Sequence, residues 1–276
     1  MNPVYLKKVF EYLLLEDAFY SDITTDSIAT DKTARAIVKA KEDFVVAGLI
    51  FIKPLFETVC DNFEIELLKK DGDIVKKSHQ LAIIKASDRC LLYVERALLN
   101  LLQRLSGIAT KTKKIATLIE PYKTKITDTR KTTPGLRFFE KYAVKVGCGT
   151  NHRMGLFDAV LIKDNHIKAA GSIRKAVELV RKNISFTTKI EVECANIDMV
   201  KEALDSKVDI VMLDNMKPEE IKTVIETFKN QALFEASGNI DENNITDYAQ
   251  TGVDFISLGA ITHHACWVDI NMKFVE

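Results

Sequence analysis

Net charge, long hydrophobic runs and closely spaced cysteines are all missing from this chain of 276 residues. Lys and Arg number 39, and Asp and Glu also number 39, so no overall electric field draws nucleic acid or acidic lipid to the protein. The longest nearly apolar run, residues 44–52, is too short to cross a bilayer, and residues 1–10 contain no signal-peptide core. These absences argue against nucleic-acid binding, membrane insertion and secretion.

Cysteine and proline are scarce. The five cysteines lie at least 30 residues apart and none forms a C-x-x-C pair, so we expect neither a zinc site nor a disulfide framework, as in a protein of the reducing cytoplasm. The five prolines are scattered and no linker of low complexity is present. Domain organisation must therefore be inferred from the periodicity of the apolar residues.

The first third of the chain has the pattern of a small mixed domain. Short β-type runs at residues 34–40, 44–52 and 81–85 precede a segment, residues 88–106, whose leucines recur at helical spacing. This spacing predicts an amphipathic helix.

From about residue 120, strand patterns alternate with helix patterns, which indicates parallel strands joined by crossover helices. We predict strands at residues 125–130, 159–163, 189–194, 209–214, 233–237 and 255–259, and helices at 136–146, 172–182, 197–205, 218–228 and 241–250. Such a series forms a closed or nearly closed barrel, or a doubly wound sheet.

Polar and charged residues stand where these strands end. In a βα barrel, the carboxyl ends of the strands converge on one mouth, where enzymes place their reacting groups. The residues at the predicted ends are Arg130 with Lys131, Lys163, Glu193, Asp214, Ser237 with Gly238, and Gly259. Strands often end in polar residues because the chain is leaving the core, but six such ends in register favour a shared site.

Positive charge is concentrated locally. Residues 121–153 contain eight Lys or Arg against two acids. Lys123, Lys141 and Lys145 are typical of a solvated face. The better candidates for an anion site fall at strand ends or in loops: Arg130, Lys131, His152, Arg153 and Lys163. Because arginine binds carboxylate or phosphate through two parallel hydrogen bonds, the pattern predicts a small substrate with several negative charges.

The charge reverses on the later strands. Two-residue alternation places Glu191 and Glu193 on one face, and Asp214 ends the next strand. Such carboxylates hold Mg²⁺, bind sugar hydroxyls or stabilise developing positive charge, and all three roles suit an activated ribose. A structural ion pair between Lys163 and one of these carboxylates is the simpler alternative.

Glycine follows the last two strands, in the segments 235–239 (EASGN) and 258–260 (LGA). Loops at this position are a recurrent phosphate site of barrel enzymes. Other residues give weaker signals. Because His263 and His264 are adjacent, they cannot form a metal pair on one helix face, and we expect a structural or surface role. We expect His166 to orient its loop, and Cys148 and Cys194 to be buried small hydrophobic residues.

Four motifs together are familiar: TDTRKTTPGLR at 127–137, EKYAV at 140–144, NHR at 151–153 and LIKDNHI at 161–167. They resemble the nicotinate-nucleotide pyrophosphorylase family, also called quinolinate phosphoribosyltransferase. The resemblance extends over almost the whole chain, through residues 16–17, 22–25, 94–96, 100–110, 191–193, 213–215, 235–238 and 257–260.

The resemblance implies an activity and a fold. The activity is transfer of the phosphoribosyl group of PRPP to quinolinate, with release of CO₂ and pyrophosphate, giving nicotinate mononucleotide for NAD biosynthesis; Mg²⁺ accompanies the PRPP. The fold is an N-terminal α/β sandwich, residues 1–108, followed by an incomplete α/β barrel of the type II phosphoribosyltransferase kind, residues 109–264, with residues 265–276 returning to the sandwich. The resemblance also implies a cytoplasmic homodimer or hexamer, without nucleic acid or membrane.

The resemblance further assigns site residues. Arg130, His152, Arg153 and Lys163 match residues that hold the pyridine dicarboxylate, and Arg96 matches one supplied across the dimer. Glu193 and Asp214 match carboxylates on the ribose and metal side, where they contact Mg²⁺ directly or through PRPP and water. Lys163, Glu193 and Asp214 are the expected catalytic residues. The remaining expected substrate contacts, on the phosphate side and in its loops, are Thr129, Lys131, Ser237, Gly238, Asn239, Leu258, Gly259 and Ala260.

Three residues depart from the family pattern. Ser21, Cys148 and Asn239 stand where glycine is common, and since asparagine adopts positive φ more readily than most residues, we expect the loop at Asn239 to be retained. Three other functions stay open. Lys163 could form a Schiff base in a barrel aldolase. The molybdenum-utilisation relatives share the family, although intact residues 132–135 and 163–166 argue against them. The basic stretch could also be a nucleic-acid surface, although its interleaved aromatic residues have the helical spacing of a core.

Overall fold

The computed structural model describes residues 2–275, which form two compact units. Of these residues, the first unit contains 2–111, 134–147 and 265–275, and the second contains 112–133 and 148–264. Within residues 2–275, no helix is both long enough and apolar enough to cross a membrane. The helices are α1 (Pro3–Asp17), α2 (Ile23–Ile28), α3 (Ile52–Phe56), α4 (Asp88–Leu118), α5 (Arg137–Val146), α6 (Asp164–Ala170), α7 (Ile173–Arg181), α8 (Ile197–Asp205), α9 (Pro218–Phe228), α10 (Ile245–Gln250) and α11 (Ala260–His263). The strands are β1 (Thr33–Ala40), β2 (Phe44–Val45), β3 (Phe63–Leu67), β4 (Ile74–Val75), β5 (Gln80–Ser87), β6 (Lys125–Thr127), β7 (Val160–Ile162), β8 (Ile190–Cys194), β9 (Ile210–Asp214), β10 (Leu233–Ser237), β11 (Phe255–Ser257) and β12 (Ile270–Val275).

The first unit is built on a four-stranded sheet in the order β12-β1-β5-β3, in which neighbouring strands are antiparallel. The core of this unit includes one face of α4, where Leu91, Val94, Leu98 and Leu105 are fully buried, as the helical spacing predicted. Burial of each such side chain contributes about 1.5–3 kcal/mol. The aromatic rings of Phe10, Phe51 and Phe139 pack against one another in the same core.

The predicted β-run at residues 44–52 is wrong beyond its second residue. Only Phe44–Val45 forms a strand, and Leu49–Phe51 is a 3₁₀ turn that leads into α3. Gly48 causes the break because its φ of +103° lies in the left-handed region. An added Cβ there would lie 3.0 Å from Leu105 Cδ1, so the close approach of α4 also requires glycine.

The second unit is a six-stranded parallel sheet in the order β6-β11-β10-β9-β8-β7. All six strands predicted from the sequence are present, and β10 has the predicted bounds.

Within the described residues the edge strands β6 and β7 are not paired with each other, so the sheet is open, as expected of an incomplete barrel. The parallel arrangement brings all six carboxyl ends to one side.

Three expectations about single residues require correction. Cys60 and Cys90 form a disulfide with their Cα atoms 6.0 Å apart, because the fold brings the end of the α3 region next to the start of α4. Lys141, expected on a solvated face, is fully buried on α5 within the first unit. Cys194 is buried as predicted, whereas Cys148 is exposed and has a φ of 70°.

Candidate active site

An open pocket of about 830 Å³ lies at the carboxyl ends of the parallel strands. Its lining includes the predicted site residues of the second unit: Thr129, Arg130, Lys131, His152, Arg153, Lys163, Glu193, Asp214, Ser237, Gly238, Asn239, Leu258, Gly259 and Ala260. Arg96 is placed elsewhere, exposed on α4 in the first unit. Residues spread along more than 100 positions of the chain therefore meet around one opening, since parallel strands end on the same side.

Size alone does not single out this pocket. The first unit has another of about 960 Å³, beside the Cys60–Cys90 disulfide. The guanidinium of Arg89 in its lining is already paired with Asp26 and Asp31, at 2.7 and 2.8 Å. The pocket of the second unit is the candidate active site because it gathers both signs of charge and two glycine loops.

One wall of the pocket is cationic and contains Arg130, Arg153 and Lys163. Burial, together with the nearby charge of Arg130, lowers the pKa of the Arg153 guanidinium, while the charge of Glu191 opposes this shift. Arg153 is oriented by a hydrogen bond from Nη1 to the Ala159 carbonyl oxygen at 3.0 Å. Two neighbouring guanidinium groups repel each other less when an anion lies between them, so this wall suits a dicarboxylate.

Lys163 and Glu193 form an ion pair, with Lys163 Nζ 2.7 Å from Glu193 Oε2. The alternative interpretation, in which Lys163 forms a structural ion pair with a nearby carboxylate, is therefore partly correct. The Lys163 side chain is 47% exposed, however, and an exposed pair contributes at most about 1 kcal/mol to stability. His166 Nδ1 accepts a hydrogen bond from the Lys163 backbone N–H at 2.9 Å at the start of α6, which is the orienting role expected of it.

Amide side chains hydrogen-bond the loop after β10, which the sequence predicts to bind phosphate. Asn239 Nδ2 donates to Asn215 Oδ1 at 2.9 Å, and Asn215 Nδ2 donates to Asp214 Oδ2 at 2.7 Å. Gly238 and Asn239 both have positive φ, at 93° and 54°, so asparagine does adopt the left-handed conformation at the position where glycine is common. The loop after β10 is consequently tied to the end of β9.

Gly238→Ala tests this loop. A Cβ at Gly238 would clash with Asn215 Oδ1 and would require a positive φ. If this loop binds the phosphorylated substrate, as the sequence predicts, the KM for that substrate should rise at least about tenfold, with a smaller change in the KM for the dicarboxylate. Gly252→Ala is the matched control, because Gly252 has a similar φ of +83° but its Cβ would make only an ordinary contact, 3.8 Å from Ile225. Equal kinetic effects of the two substitutions would contradict the assignment.

Several residues in the pocket or hydrogen-bonded to its lining were not expected there. His263 and His264, expected to be structural or surface residues, lie in its lining, next to the loop after β11. Thr262 Oγ1 donates to the Lys131 carbonyl oxygen at 2.8 Å. Asp128 is fully buried and accepts hydrogen bonds from Asn151 Nδ2 at 2.6 Å and the His152 N–H at 2.9 Å. The sequence contained a signal for Asp128 alone, because this acid lies within the strand predicted at residues 125–130.

Two buried glutamates lie close to His152. His152 Nε2 is 3.0 Å from Glu191 Oε2 and 3.6 Å from Glu235 Oε2. Glu191 and Glu235 are only 3% and 4% exposed. Burial, followed by the repulsion of the Glu191 charge, raises the pKa of Glu235 to about 7. Two-residue alternation identified the face of Glu191, but its contact with His152 depends on the tertiary structure.

The carboxylates at the strand ends suit Mg²⁺. Glu193 and Asp214 both line the pocket and are partly exposed, and each presents carboxylate oxygens, the ligands that Mg²⁺ prefers. Mg²⁺ retains several water ligands in many protein sites, so these residues can hold it directly or through water.

Comparisons with known proteins agree over the whole chain. The family model described as quinolinate phosphoribosyl transferase, N-terminal domain, matches residues 22–106, and that of the C-terminal domain matches residues 108–273. A probable nicotinate-nucleotide pyrophosphorylase [carboxylating] of Bacillus subtilis is 40% identical over 272 residues, covering 99% of this chain and 94% of the relative. A protein of the same name from Synechocystis is 42% identical, covering 95% of this chain and 90% of the relative.

Solved structures agree as well. The nicotinate-nucleotide pyrophosphorylase of Francisella tularensis is 40% identical with a TM-score of 0.93, covering 100% of this chain and 98% of that one. NadC of Streptococcus pyogenes is 38% identical with a TM-score of 0.94, covering 100% and 99%. The matching domain models, the full-length relatives and the shared fold establish that this chain belongs to the quinolinate phosphoribosyltransferase family.

Proposed function

We propose that this chain is a decarboxylating quinolinate phosphoribosyltransferase, which converts quinolinate and PRPP to nicotinate mononucleotide, CO₂ and pyrophosphate in NAD biosynthesis. The observation that carries the proposal is the pocket in which Arg130, Arg153 and Lys163 share one opening with Glu193 and Asp214. A dicarboxylate matches the cationic wall. A phosphorylated sugar matches the carboxylates and the glycine loops.

Quinolinate would lie against the cationic wall. Its two carboxylates would be bound by the guanidinium groups of Arg130 and Arg153 and by the ammonium of Lys163. This arrangement places the ring nitrogen, which is the nucleophile, on the side of the ribose. Holding the two reactants in this geometry is itself a large part of catalysis, because it removes the entropy cost of their encounter.

The ribose would lie on the side of Glu193 and Asp214. As the bond from C1 to pyrophosphate breaks, C1 gains positive character, which the two carboxylates stabilise. We propose that the same two residues would hold Mg²⁺, directly or through water, and that the ion would supply positive charge that offsets the charge of the departing pyrophosphate. The glycine loops at Gly238 and Gly259 would bind the 5′-phosphate through backbone N–H groups.

Loss of CO₂ requires no nucleophile from the protein. Attachment of ribose to the ring nitrogen produces a pyridinium, whose positive charge stabilises the electron pair left on the neighbouring ring carbon when CO₂ departs. A proton from water then bonds to that carbon through this electron pair, which gives the C–H of the product. The aldolase alternative requires Lys163 as a neutral, desolvated amine. Instead Lys163 is half-exposed and paired with a carboxylate at 2.7 Å, which disfavours that alternative.

The assembly and location of the enzyme are part of the same proposal. Arg96 is exposed on α4, and we propose that it reaches the quinolinate site of a partner in a homodimer. Such an arrangement would make each site depend on two subunits. We propose a cytoplasmic location, where PRPP and NAD precursors are available.

A coupled assay tests the activity. With quinolinate, PRPP and Mg²⁺, we expect nicotinate mononucleotide, CO₂ and pyrophosphate to form in equal amounts. Nicotinate and nicotinamide serve as rival substrates, and we expect at least about 10²-fold lower kcat/KM for both, because each lacks one of the carboxylates that the cationic wall binds. Turnover of nicotinate without turnover of quinolinate would contradict the substrate assignment.

A further inference from the structure

A cluster beside the pocket contains two buried glutamates, Glu191 and Glu235, that have no part in the mechanism described above. It consists of His152, Glu191 and Glu235, and one nitrogen or oxygen from each lies within 4.8 Å of the others. His152 and Glu235 line the candidate active site, and all three residues line a second cavity of about 330 Å³. The second carboxylate oxygen of each glutamate, Oε1, is buried without a hydrogen-bond partner. Buried carboxylates are costly, so their presence requires a reason.

The hydrogen bonds of His152 determine which ring nitrogen holds the proton. Nδ1 accepts a hydrogen bond from the Arg153 backbone N–H at 2.7 Å, so Nδ1 is unprotonated. A neutral imidazole has one N–H, which must then be at Nε2, 3.0 Å from Glu191 Oε2. Glu191 Oε2 is closer to this nitrogen than Glu235 Oε2, which is 3.6 Å away. The opposite tautomer would lose both interactions.

The same bonds argue against a metal ion in the cluster. A metal bound at Nε2 requires that nitrogen to be unprotonated. Since Nδ1 is also an acceptor, the ring would then have to lose its last proton, which neutral imidazole resists. The cluster therefore acts through hydrogen bonds.

Glu191 is thereby connected to the cationic wall. Glu191 Oε2 lies 3.0 Å from Nε2 of the His152 ring, and Nδ1 of the same ring accepts a hydrogen bond from the backbone N–H of Arg153. The Asp128 carboxylate accepts a hydrogen bond from the backbone N–H of His152 at 2.9 Å. The phosphate loops are tied by other bonds, through Asn215 and Asn239. A disturbance at Glu191 should consequently reach the quinolinate side of the pocket more than the PRPP side.

We propose that Glu191 is a positioning residue for quinolinate, which fixes the Nε2–H tautomer of His152 and, through it, the placement of Arg153. This role rests on the proposed function. Glu235, 3.6 Å from the same nitrogen, supports the cluster but does not accept the hydrogen bond.

Steady-state kinetics with a double-mutant cycle tests the role. We expect Glu191→Ala to raise the KM for quinolinate at least tenfold and to change the KM for PRPP less than twofold. Glu191→Gln keeps an acceptor oxygen of the same shape, so it should recover most of this loss. If Glu191 acts through His152, the Glu191→Ala change should have less than a twofold further effect in a His152→Ala background. Glu178→Ala, on the exposed side of α7, is the control and should change neither KM.

Nitrogen NMR of histidine-labelled protein gives a second readout that does not depend on turnover. The His152 signals, assigned by their loss in His152→Ala, should show the Nε2–H tautomer in the wild type and a tautomer mixture in Glu191→Ala. Equal increases in both KM values, independent effects in the double variant, or a stoichiometric metal lost on Glu191→Ala would overturn the role. If the wild type shows the Nε2–H tautomer but does not turn over quinolinate, both the proposed function and this role are overturned. If the wild type turns over quinolinate but Glu191→Ala does not raise the KM for quinolinate more than that for PRPP, only this role is overturned.

Discussion

Lys163→Ala is expected to lower kcat/KM for quinolinate by about 10²-fold or more while the protein stays folded. The substitution removes the proposed charged partner of the substrate carboxylates and leaves Glu193 without its ion pair to Lys163, so that the Glu193 charge should repel quinolinate. The affinity for quinolinate should fall more than that for PRPP, as measured by equilibrium titration with each substrate. The free energy of unfolding should change by at most about 1 kcal/mol, since the Lys163 side chain is half-exposed.

Lys201→Ala is the control for Lys163→Ala. Lys201 also forms an exposed ion pair, with Asp198 at 3.5 Å on α8, and it is absent from the pocket lining. Both activity and stability should be close to those of the wild type. If Lys163→Ala kept the wild-type affinity for quinolinate, Lys163 would have no role beyond its structural ion pair with Glu193. A covalent adduct trapped by borohydride with a carbonyl substrate would instead support the aldolase alternative.

Glu140→Ala is expected to lower the free energy of unfolding by about 3–5 kcal/mol, because it leaves a buried arginine without its carboxylate. Glu140 is fully buried, and its Oε1 accepts hydrogen bonds from Arg104 Nε and Nη2 at 2.9 and 2.8 Å. Arg104 is itself only 7% exposed, and both residues belong to the first unit. Urea unfolding followed by circular dichroism measures the loss.

Two variants make the Glu140 result specific. Glu11→Ala, on the exposed side of α1, removes a 4.0 Å ion pair to Lys7 and should cost less than about 0.5 kcal/mol. A double variant with Arg104→Met and Glu140→Leu removes both charges and should be more stable than Glu140→Ala alone, since the buried charge of Arg104 is removed together with that of Glu140. A loss below about 1 kcal/mol for Glu140→Ala would mean that water reaches Arg104.

Elements of the parallel sheet were predicted well because their signals are local. Strand β10 and helices α8 and α9 have the bounds that periodicity predicted. Each element alternates an apolar run of strand length with an amphipathic helix, and the crossover geometry leaves one arrangement for them. The amphipathic helix was recognised but ends at Leu118, beyond the expected residue 106, because further apolar residues continue its buried face.

Elements with weak or mixed patterns were not predicted. Helix α1 and strands β3 and β12 have no expected counterpart, and the apolar run at residues 44–52 misled because apolar runs alone do not distinguish strand from helix. The strand ends before Gly48, where the close approach of Leu105 leaves little room for a side chain. Leu105 lies more than 50 positions further along the chain. Local pattern cannot contain such information.

The amino-acid sequence by itself determined the order of the elements, the type of sheet and the residues that end its strands. These depend on the apolar period and on residue chemistry, which are properties of short segments. The tertiary structure alone decided which buried groups meet: the Cys60–Cys90 disulfide, the burial of Lys141, and the contact of His152 with Glu191. Such contacts join residues distant in the chain, and only the packing of whole elements sets their distances and their exposure to water.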